Sequence, residues 1–236
     1  MLTGQVFAIM SGTAQDDQIR KIVKGADHYL YQEKIGGYRL NTDFQELKFD
    51  MGRMFGFAYG EKENGAVFSH MTVMYANALY RRSFVREGWK ALKTLATTAL
   101  DFDTSHIYPG IPEYFRADGR GMYHYLTGAA SWFMMTMITE VFGVRGEAGE
   151  LTLYPKLLAE QFDEAAAASI TVPFAGKMFR VIYCNESGKD FGSYTIGSAS
   201  CDGTELTVND SCFVVLPRQM LETLSDEIHE IMIKLI

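Results

Sequence analysis

The residues best suited to chemistry in this chain sit in two glycine-broken loops, each running into an apolar helix. The later loop reads Gly119-Arg120-Gly121-Met122-Tyr123-His124-Tyr125-Leu126-Thr127-Gly128 and enters the apolar stretch that begins at Ala129. Thr127 stands where an N-cap belongs, its hydroxyl able to accept from a backbone N–H one turn on. The unpaired N–H groups of a helix start, with the positive end of the dipole behind them, favour an anion. Arg120 and His124 are close in sequence, so the loop reads as an anion pocket. A plain capped helix with basic neighbours accounts for the same residues. The earlier loop ends Phe55-Gly56-Phe57-Ala58-Tyr59-Gly60-Glu61-Lys62-Glu63-Asn64-Gly65-Ala66-Val67-Phe68-Ser69-His70 and places His70 in the first turn of another apolar helix. Two helix starts, each with a polar donor, can converge on one anion. Taken singly, His70 is equally a cap or a satisfied core histidine, and Lys62 with Glu63 a solvated pair.

Five helical segments must position these loops: 5–11, 16–33, 71–82, 86–100 and 129–144. The second and fourth carry one apolar stripe each, Ile19, Ile22, Val23, Ala26, Tyr29 and Leu30 in one, Trp89, Leu92, Leu95, Ala96 and Ala99 in the other. The first, third and fifth are apolar over most of their surface. A helix apolar all round is buried on every side, whereas a striped one covers an outside. The alternation predicts an inner ring of helices wrapped by an outer one, an α/α toroid. The connections 34–68 and 101–126 both lead into inner helices and exceed the roughly 12–15 residues at which structureless loops become unusual. A toroid gathers them at one mouth. From residue 150 the periodicity changes to short alternating or β-branched runs, 151–154, 170–173, 179–184, 194–198, 205–208, 212–216 and 230–236, separated by glycine turns. The fold class predicted is mainly α with a C-terminal all-β part, helices in 1–149 and an antiparallel, jelly-roll-like β-sandwich in 150–236.

Composition narrows the function. With 236 residues, 47% hydrophobic, the chain can bury a sizeable core. Its formal net charge of −7 and the lack of any lysine- or arginine-rich run argue against nucleic acid as a partner. The three cysteines, Cys184, Cys201 and Cys212, have no C-x-x-C spacing, so neither a disulfide framework nor a metal site is expected. The longest apolar run, 129–138, is too short to span a bilayer, and no secretory leader is evident. A cytoplasmic protein with no membrane partner is the expectation. The apolar opening Met1-Leu2-Thr3-Gly4-Gln5-Val6-Phe7 has no polar lead-in, and the expectation is a piece of a longer chain.

Glu61-Lys62-Glu63-Asn64-Gly65-Ala66-Val67-Phe68-Ser69-His70, followed by Leu126-Thr127-Gly128-Ala129-Ala130-Ser131-Trp132, resembles the cellobiose and chitobiose phosphorylase family, glycoside hydrolase family 94. Tyr108-Pro109-Gly110-Ile111-Pro112-Glu113-Tyr114-Phe115 and Leu151-Thr152-Leu153-Tyr154-Pro155 fit the same pattern. The resemblance spans most of residues 1–200. It implies the C-terminal part of an (α/α)6 catalytic barrel followed by a β-sandwich domain. It also implies an inverting glycosyltransferase that cleaves a β-linked gluco-disaccharide or oligosaccharide with inorganic phosphate, releasing α-glucose 1-phosphate. Phosphate and carbohydrate would be its substrates, with no cofactor and no metal, and the full-length enzyme would be a homodimer.

The chemistry is coherent. An inverting glycosidase needs a carboxylate to activate water, but phosphate arrives already anionic and such a carboxylate would repel it. By the resemblance, His70, Thr127 and Gly128 bind phosphate, while Lys62, Phe57, Arg53 and Glu63 fall where the acceptor sugar is held. Two departures stand out. Ala129 replaces a second threonine common in the family, and none of Asp16, Asp43 and Asp50 matches the general-acid motif, which would lie upstream of Met1. No catalytic residue is therefore assigned, and the chain by itself is expected to be inactive. Two other readings remain. A toroidal hydrolase using water would employ Glu63 or Glu113, and a non-catalytic carbohydrate-binding protein would bind sugar through residues 150–236.

Overall fold

The computed structural model describes residues 1–108, 110–123 and 128–236, and the chain divides into two compact units, Met1–Thr136 and Met137–Ile236. Helices fill the first unit, and largely antiparallel sheets fill the second.

In the first unit, α1 (Leu2–Met10) buries Leu2, Val6 and Ile9, one face at helical spacing. The next helix, α2 (Asp16–Tyr29), starts with Asp16 and Asp17 at the positive end of its dipole and buries Ile19 and Ala26. It stops four residues short of the predicted Glu33, because the chain turns back as the hairpin β1 (Tyr31–Gln32) and β2 (Gly37–Tyr38). Contacts with the later helix α4 (Val85–Leu100) hold that hairpin. Lys90 Nζ lies 3.9 Å from the Tyr31 ring centroid, and the Tyr31 hydroxyl is 3.0 Å from Thr94 Oγ1. Tyr38, fully buried, donates to Asp27 at 2.5 Å.

Strand β3 (Val67–Phe68) then leads directly into α3 (Ser69–Arg81), which is buried from Thr72 through Tyr80 on nearly every side. It packs against α1, α4 and α6 (Gly128–Thr136). Gly88 allows α4 its close approach: a β-carbon there would stand 2.5 Å from the Tyr80 ring. Of its predicted stripe, α4 buries Leu92, Leu95 and Ala99 and leaves Trp89 and Ala96 half-buried, while Ala91 is buried beside them; a large aliphatic side chain there is worth roughly 1.5–3 kcal/mol. After the single turn α5 (Phe102–Ser105), β4 (Tyr114–Phe115) and β5 (Gly121–Met122) complete a small antiparallel sheet in the order β3-β4-β5.

The first and fifth predicted helices differ from expectation, α1 burying one face and leaving Phe7 51% exposed. In α6 only Ala129 and Thr136 are buried, and Met134 is 64% exposed. Burial on every side needs neighbours on every side, and among the described residues α6 has α3 along one face, where Asn77 Nδ2 donates to Thr136 Oγ1 at 3.1 Å. Hydrophobicity states what a face prefers, not what covers it.

The second unit opens on a π-helical turn, Met137–Val141, and the hairpin β6 (Val144–Glu147) and β7 (Glu150–Leu153). Strands β8 (Ala167–Phe174), β9 (Lys177–Cys184), β10 (Ile196–Cys201), β11 (Thr204–Glu205), β12 (Val208–Asn209) and β13 (Phe213–Leu216) follow. A short helix α7 (Arg218–Thr223), not anticipated from the sequence, precedes β14 (Ile228–Leu235). One sheet runs β11-β10-β14-β9-β8 and the other β12-β13-β7-β6. Every pair is antiparallel except β14 with β9, which the sequence reading did not foresee. The long connection between them, carrying four strands and α7, gives the crossover that parallel pairing requires. Phe179, Val181 and Tyr183 of β9 are buried, as are Ile231, Ile233 and Leu235 of β14, one face of the sheet at period two. No helix among the described residues is long and apolar enough to cross a membrane.

Candidate functional site

The small sheet β3-β4-β5 brings the two long loops together. Val67 pairs with Phe115 and Phe68 with Tyr114, and Tyr114 pairs in turn with Met122. The Phe68 and Tyr114 rings stack with their planes 7° apart. Beyond β3, the Ser69 N–H donates to the Glu113 carbonyl at 2.9 Å, so the start of α3 is fixed against the second loop. Glu113 contributes its backbone on both sides, its own N–H reaching the Met122 carbonyl at 3.0 Å.

His70 lies one residue into α3, with its ring against the start of α6. A β-carbon on Gly128 would stand 2.8 Å from His70 Cε1 and 2.9 Å from Nδ1, so only glycine leaves room for the imidazole. The Trp132 ring, one turn further along α6, is 5.6 Å from the His70 ring. Burial holds the imidazole below the usual histidine range, which keeps it neutral at pH 7. Its Nε2 is buried and has no hydrogen-bond partner among the described residues. A neutral imidazole can give one N–H to an anion without a counter-charge to displace. The two sequence-predicted positions His70 and Gly128 are thus in contact. Thr127, the third, lies outside the described residues, as does His124. Arg120 is exposed in a turn where its backbone N–H reaches Asp118 Oδ1 at 3.1 Å.

The other four predicted residues also form one group. Arg53 pairs with Glu63 at 2.8 Å and lies 5.5 Å from the Phe57 ring centroid. Lys62 Nζ is 5.6 Å from the Phe57 centroid and 4.5 Å from that of Tyr123. Lys62 and Glu63 ride on a closed turn, with Gly60 N–H donating to the Asn64 carbonyl at 2.7 Å and Asn64 N–H to the Glu61 carbonyl at 3.0 Å. Lys62 holds φ +44° there, a left-handed conformation that costs a lysine energy and persists because the surroundings over-determine it. Asn64 Nδ2 donates to the Phe57 carbonyl at 2.9 Å, and Asn41 Oδ1 accepts the Gly65 N–H at 2.9 Å. The buried Glu63 Oε2 has no partner among the described residues.

Sequence reasoning missed Glu61, Tyr114 and Tyr123 as members of this group. The Tyr114 hydroxyl donates to Glu61 Oε2 at 2.8 Å, Arg116 Nε stands 3.4 Å from Glu61 Oε1, and the Tyr123 ring is 6.1 Å from that of Tyr114. The available signal was the acidic Glu61 opposite a Tyr-x-Arg in the second loop, legible only once the loops are known to pair. A cavity of about 520 Å³ between α1 and α2, lined by Met1, Gln5, Lys21 and Tyr29, contains none of these residues.

Residues 1–143 match the family described as the glycosyl hydrolase 94 superfamily, catalytic domain, and the chain belongs to that family. A curated relative, the cellobionic acid phosphorylase of Neurospora crassa, is 26% identical over 194 residues, which is 76% of this chain and 24% of that protein. The chain therefore spans about a quarter of the curated relative that it matches. Among solved structures, a family GH92 alpha-mannosidase from Bacteroides thetaiotaomicron, in complex with mannoimidazole, matches at 12% identity and a TM-score of 0.30, covering 98% of this chain and 23% of that one.

Proposed function

We propose that this member of the glycosyl hydrolase 94 superfamily carries the phosphate-binding and acceptor-binding parts of an inverting β-glucoside phosphorylase, built on part of an (α/α)6 toroid with a β-sandwich after it. The observation that carries the reading is a run of orphaned polar atoms. Glu63 Oε2, Ser69 Oγ and His70 Nε2 are all buried, all lack partners among the described residues, and all fall within one short stretch entering α3. Buried polar atoms are rarely left unpaired, because each costs about 1–3 kcal/mol, and a cluster of them marks a place for a polar ligand.

In the proposed reaction a phosphate oxygen attacks the anomeric carbon, forming the C–O bond of α-glucose 1-phosphate as the bond to the leaving oxygen breaks on the opposite face. A proton passes to that leaving oxygen from a general acid. His70, neutral and backed by the N–H groups at the start of α6, offers donors to phosphate. Glu63 is paired with Arg53 at 2.8 Å, which offsets its negative charge in part. The family resemblance gives no general acid among Asp16, Asp43 and Asp50, so binding without turnover is the proposed behaviour of this chain by itself.

For the acceptor, the unpaired Glu63 oxygen demands an O–H donor, which favours a neutral sugar such as glucose. The relative's name points instead to a sugar acid, whose carboxylate Lys62 could receive but Glu63 would oppose. Calorimetric titration of the 236-residue chain with inorganic phosphate, glucose and gluconate tests the proposal. Binding of phosphate and glucose, with phosphate binding lost in His70→Ala, is the expected result. Phosphate binding unchanged by that substitution removes His70 from the site, and tighter gluconate binding reverses the acceptor assignment. Sugar release from cellobiose without phosphate would favour a water-using hydrolase.

A further inference from the structure

We infer that Tyr114 is the positioning residue of the acceptor site, setting through Glu61 the turn that presents Lys62 and Glu63. The inference rests on the acceptor assignment above. Tyr114 is itself held from every direction. Its backbone pairs with Phe68 on one side and Met122 on the other, at the centre of the three-stranded sheet. Its ring is packed by Phe68 and by Tyr123, and its side chain is 3% exposed. A ring so fixed places its hydroxyl at one point, and at that point stands Glu61 Oε2, 2.8 Å away.

The other Glu61 oxygen faces Arg116 at 3.4 Å. Tyr114 and Arg116 are two residues apart at the end of one strand, the spacing that puts both side chains on one face. Through Glu61 the turn 60–64 is tied to the second loop by two side-chain contacts, and Lys62 adds a third over the Tyr123 ring. Among the described residues, no strand pairing joins that turn to the second loop; its own bridge runs from Glu61 to Asn64 within it. The turn closes on itself through Gly60 and Asn64 and holds Lys62 at positive φ, its far end is anchored by Asn64 to the Phe57 carbonyl and by Gly65 to Asn41, and Glu61 fixes the side that faces the second loop. Burial pushes the Tyr114 hydroxyl well above the usual tyrosine range, so it remains a donor throughout the neutral range.

Tyr114→Phe removes the hydroxyl while keeping the ring, the stack and the strand pairing. On the full 236-residue chain, the expected result is a glucose dissociation constant raised roughly tenfold, the factor set by one hydrogen bond to a charged group. The phosphate dissociation constant should stay within error, and the urea midpoint should fall by no more than the loss of that one hydrogen bond. Glu61→Gln, which keeps an oxygen for the Tyr114 hydroxyl, should retain most of the glucose affinity, and Glu61→Ala should reproduce the loss. If Tyr114→Phe disturbs folding, the Glu61 pair supplies the same readout. Unchanged glucose affinity in Tyr114→Phe and Glu61→Ala, or equal losses for glucose and phosphate, overturns the positioning role. Wild-type chain that binds phosphate but no glucose overturns the acceptor assignment instead, and the inference with it.

Discussion

The His70 imidazole lies over the α-carbon of Gly128, with Cε1 and Nδ1 at 2.8 and 2.9 Å from where a β-carbon would project. Two helix starts meet there with no space between them, and both partners are fixed by their own elements. Gly128→Ala should therefore push the ring aside rather than unfold the chain, since position 128 is otherwise exposed. The expected outcome is phosphate affinity lowered by about tenfold or more, with a stability change under roughly 1 kcal/mol. Calorimetry and urea unfolding on the same variant measure both. Full phosphate affinity in Gly128→Ala would show that the contact is packing only.

The protonation of His70 gives a second handle. Burial lowers its pKa from 6.5, so the free protein holds it neutral at pH 7. Bound phosphate places negative charge beside the ring and favours the protonated form, raising the pKa. NMR titration of the His70 ring should place it below 6.5 in phosphate-free buffer and move it upward at saturating phosphate. A value indifferent to phosphate separates His70 from the ligand. The stability sign follows from the same shift: as pH falls below 6.5 the unfolded chain takes up the proton first, and stability is lost.

Gly65 supplies a test of the turn itself. It holds φ +77°, and a β-carbon there would meet Tyr59 Cε2 at 2.1 Å. The Tyr59 ring is 40% exposed and can swing outward, so the backbone strain is the part that stays. Gly65→Ala should cost roughly 1–3 kcal/mol in urea unfolding and weaken glucose binding, because Lys62 and Glu63 precede it in the same turn. A loss of stability with glucose affinity intact would detach the turn from sugar recognition.

What the sequence disclosed and what it withheld divide along physical lines. The helix starts at His70 and Gly128 were legible because a polar donor beside an apolar run is a local signal. Lys62, Phe57, Arg53 and Glu63 came through resemblance, since their cation–π and ion-pair contacts leave no periodicity. Tyr114 and Glu61 are 53 residues apart in sequence, and the strands that align them are two residues long, too short for any alternation to show. The parallel pairing of β9 with β14 was hidden for a related reason: each strand alternates as an antiparallel one would, and only the crossover sets its direction.

The second unit contains a clamp whose pH dependence can be worked out from its geometry. His229, buried, stands 2.6 Å from Asp202 Oδ2 through Nδ1 and 3.0 Å from the Ser225 carbonyl through Nε2. Both neighbours are acceptors, so only the doubly protonated ring satisfies the two together. Lys177 Nζ shares the Ser225 carbonyl at 3.0 Å and opposes that charge, while Asp202 also accepts the Glu230 N–H at 2.9 Å. The Ser225 carbonyl and Asp202 raise His229 above 6.5, and the Glu230 N–H and His229 lower Asp202 below 3.8. A raised histidine contributes stability that is complete below 6.5 and lost as pH rises through its folded value; a depressed aspartate contributes stability lost as pH falls below 3.8. The thermal midpoint of the chain should accordingly decline from pH 6.5 upward, and His229→Gln should flatten that decline because its amide has no proton to lose. An identical slope in the variant would place the pH dependence in some other group, and the clamp would then be a contact that remains neutral.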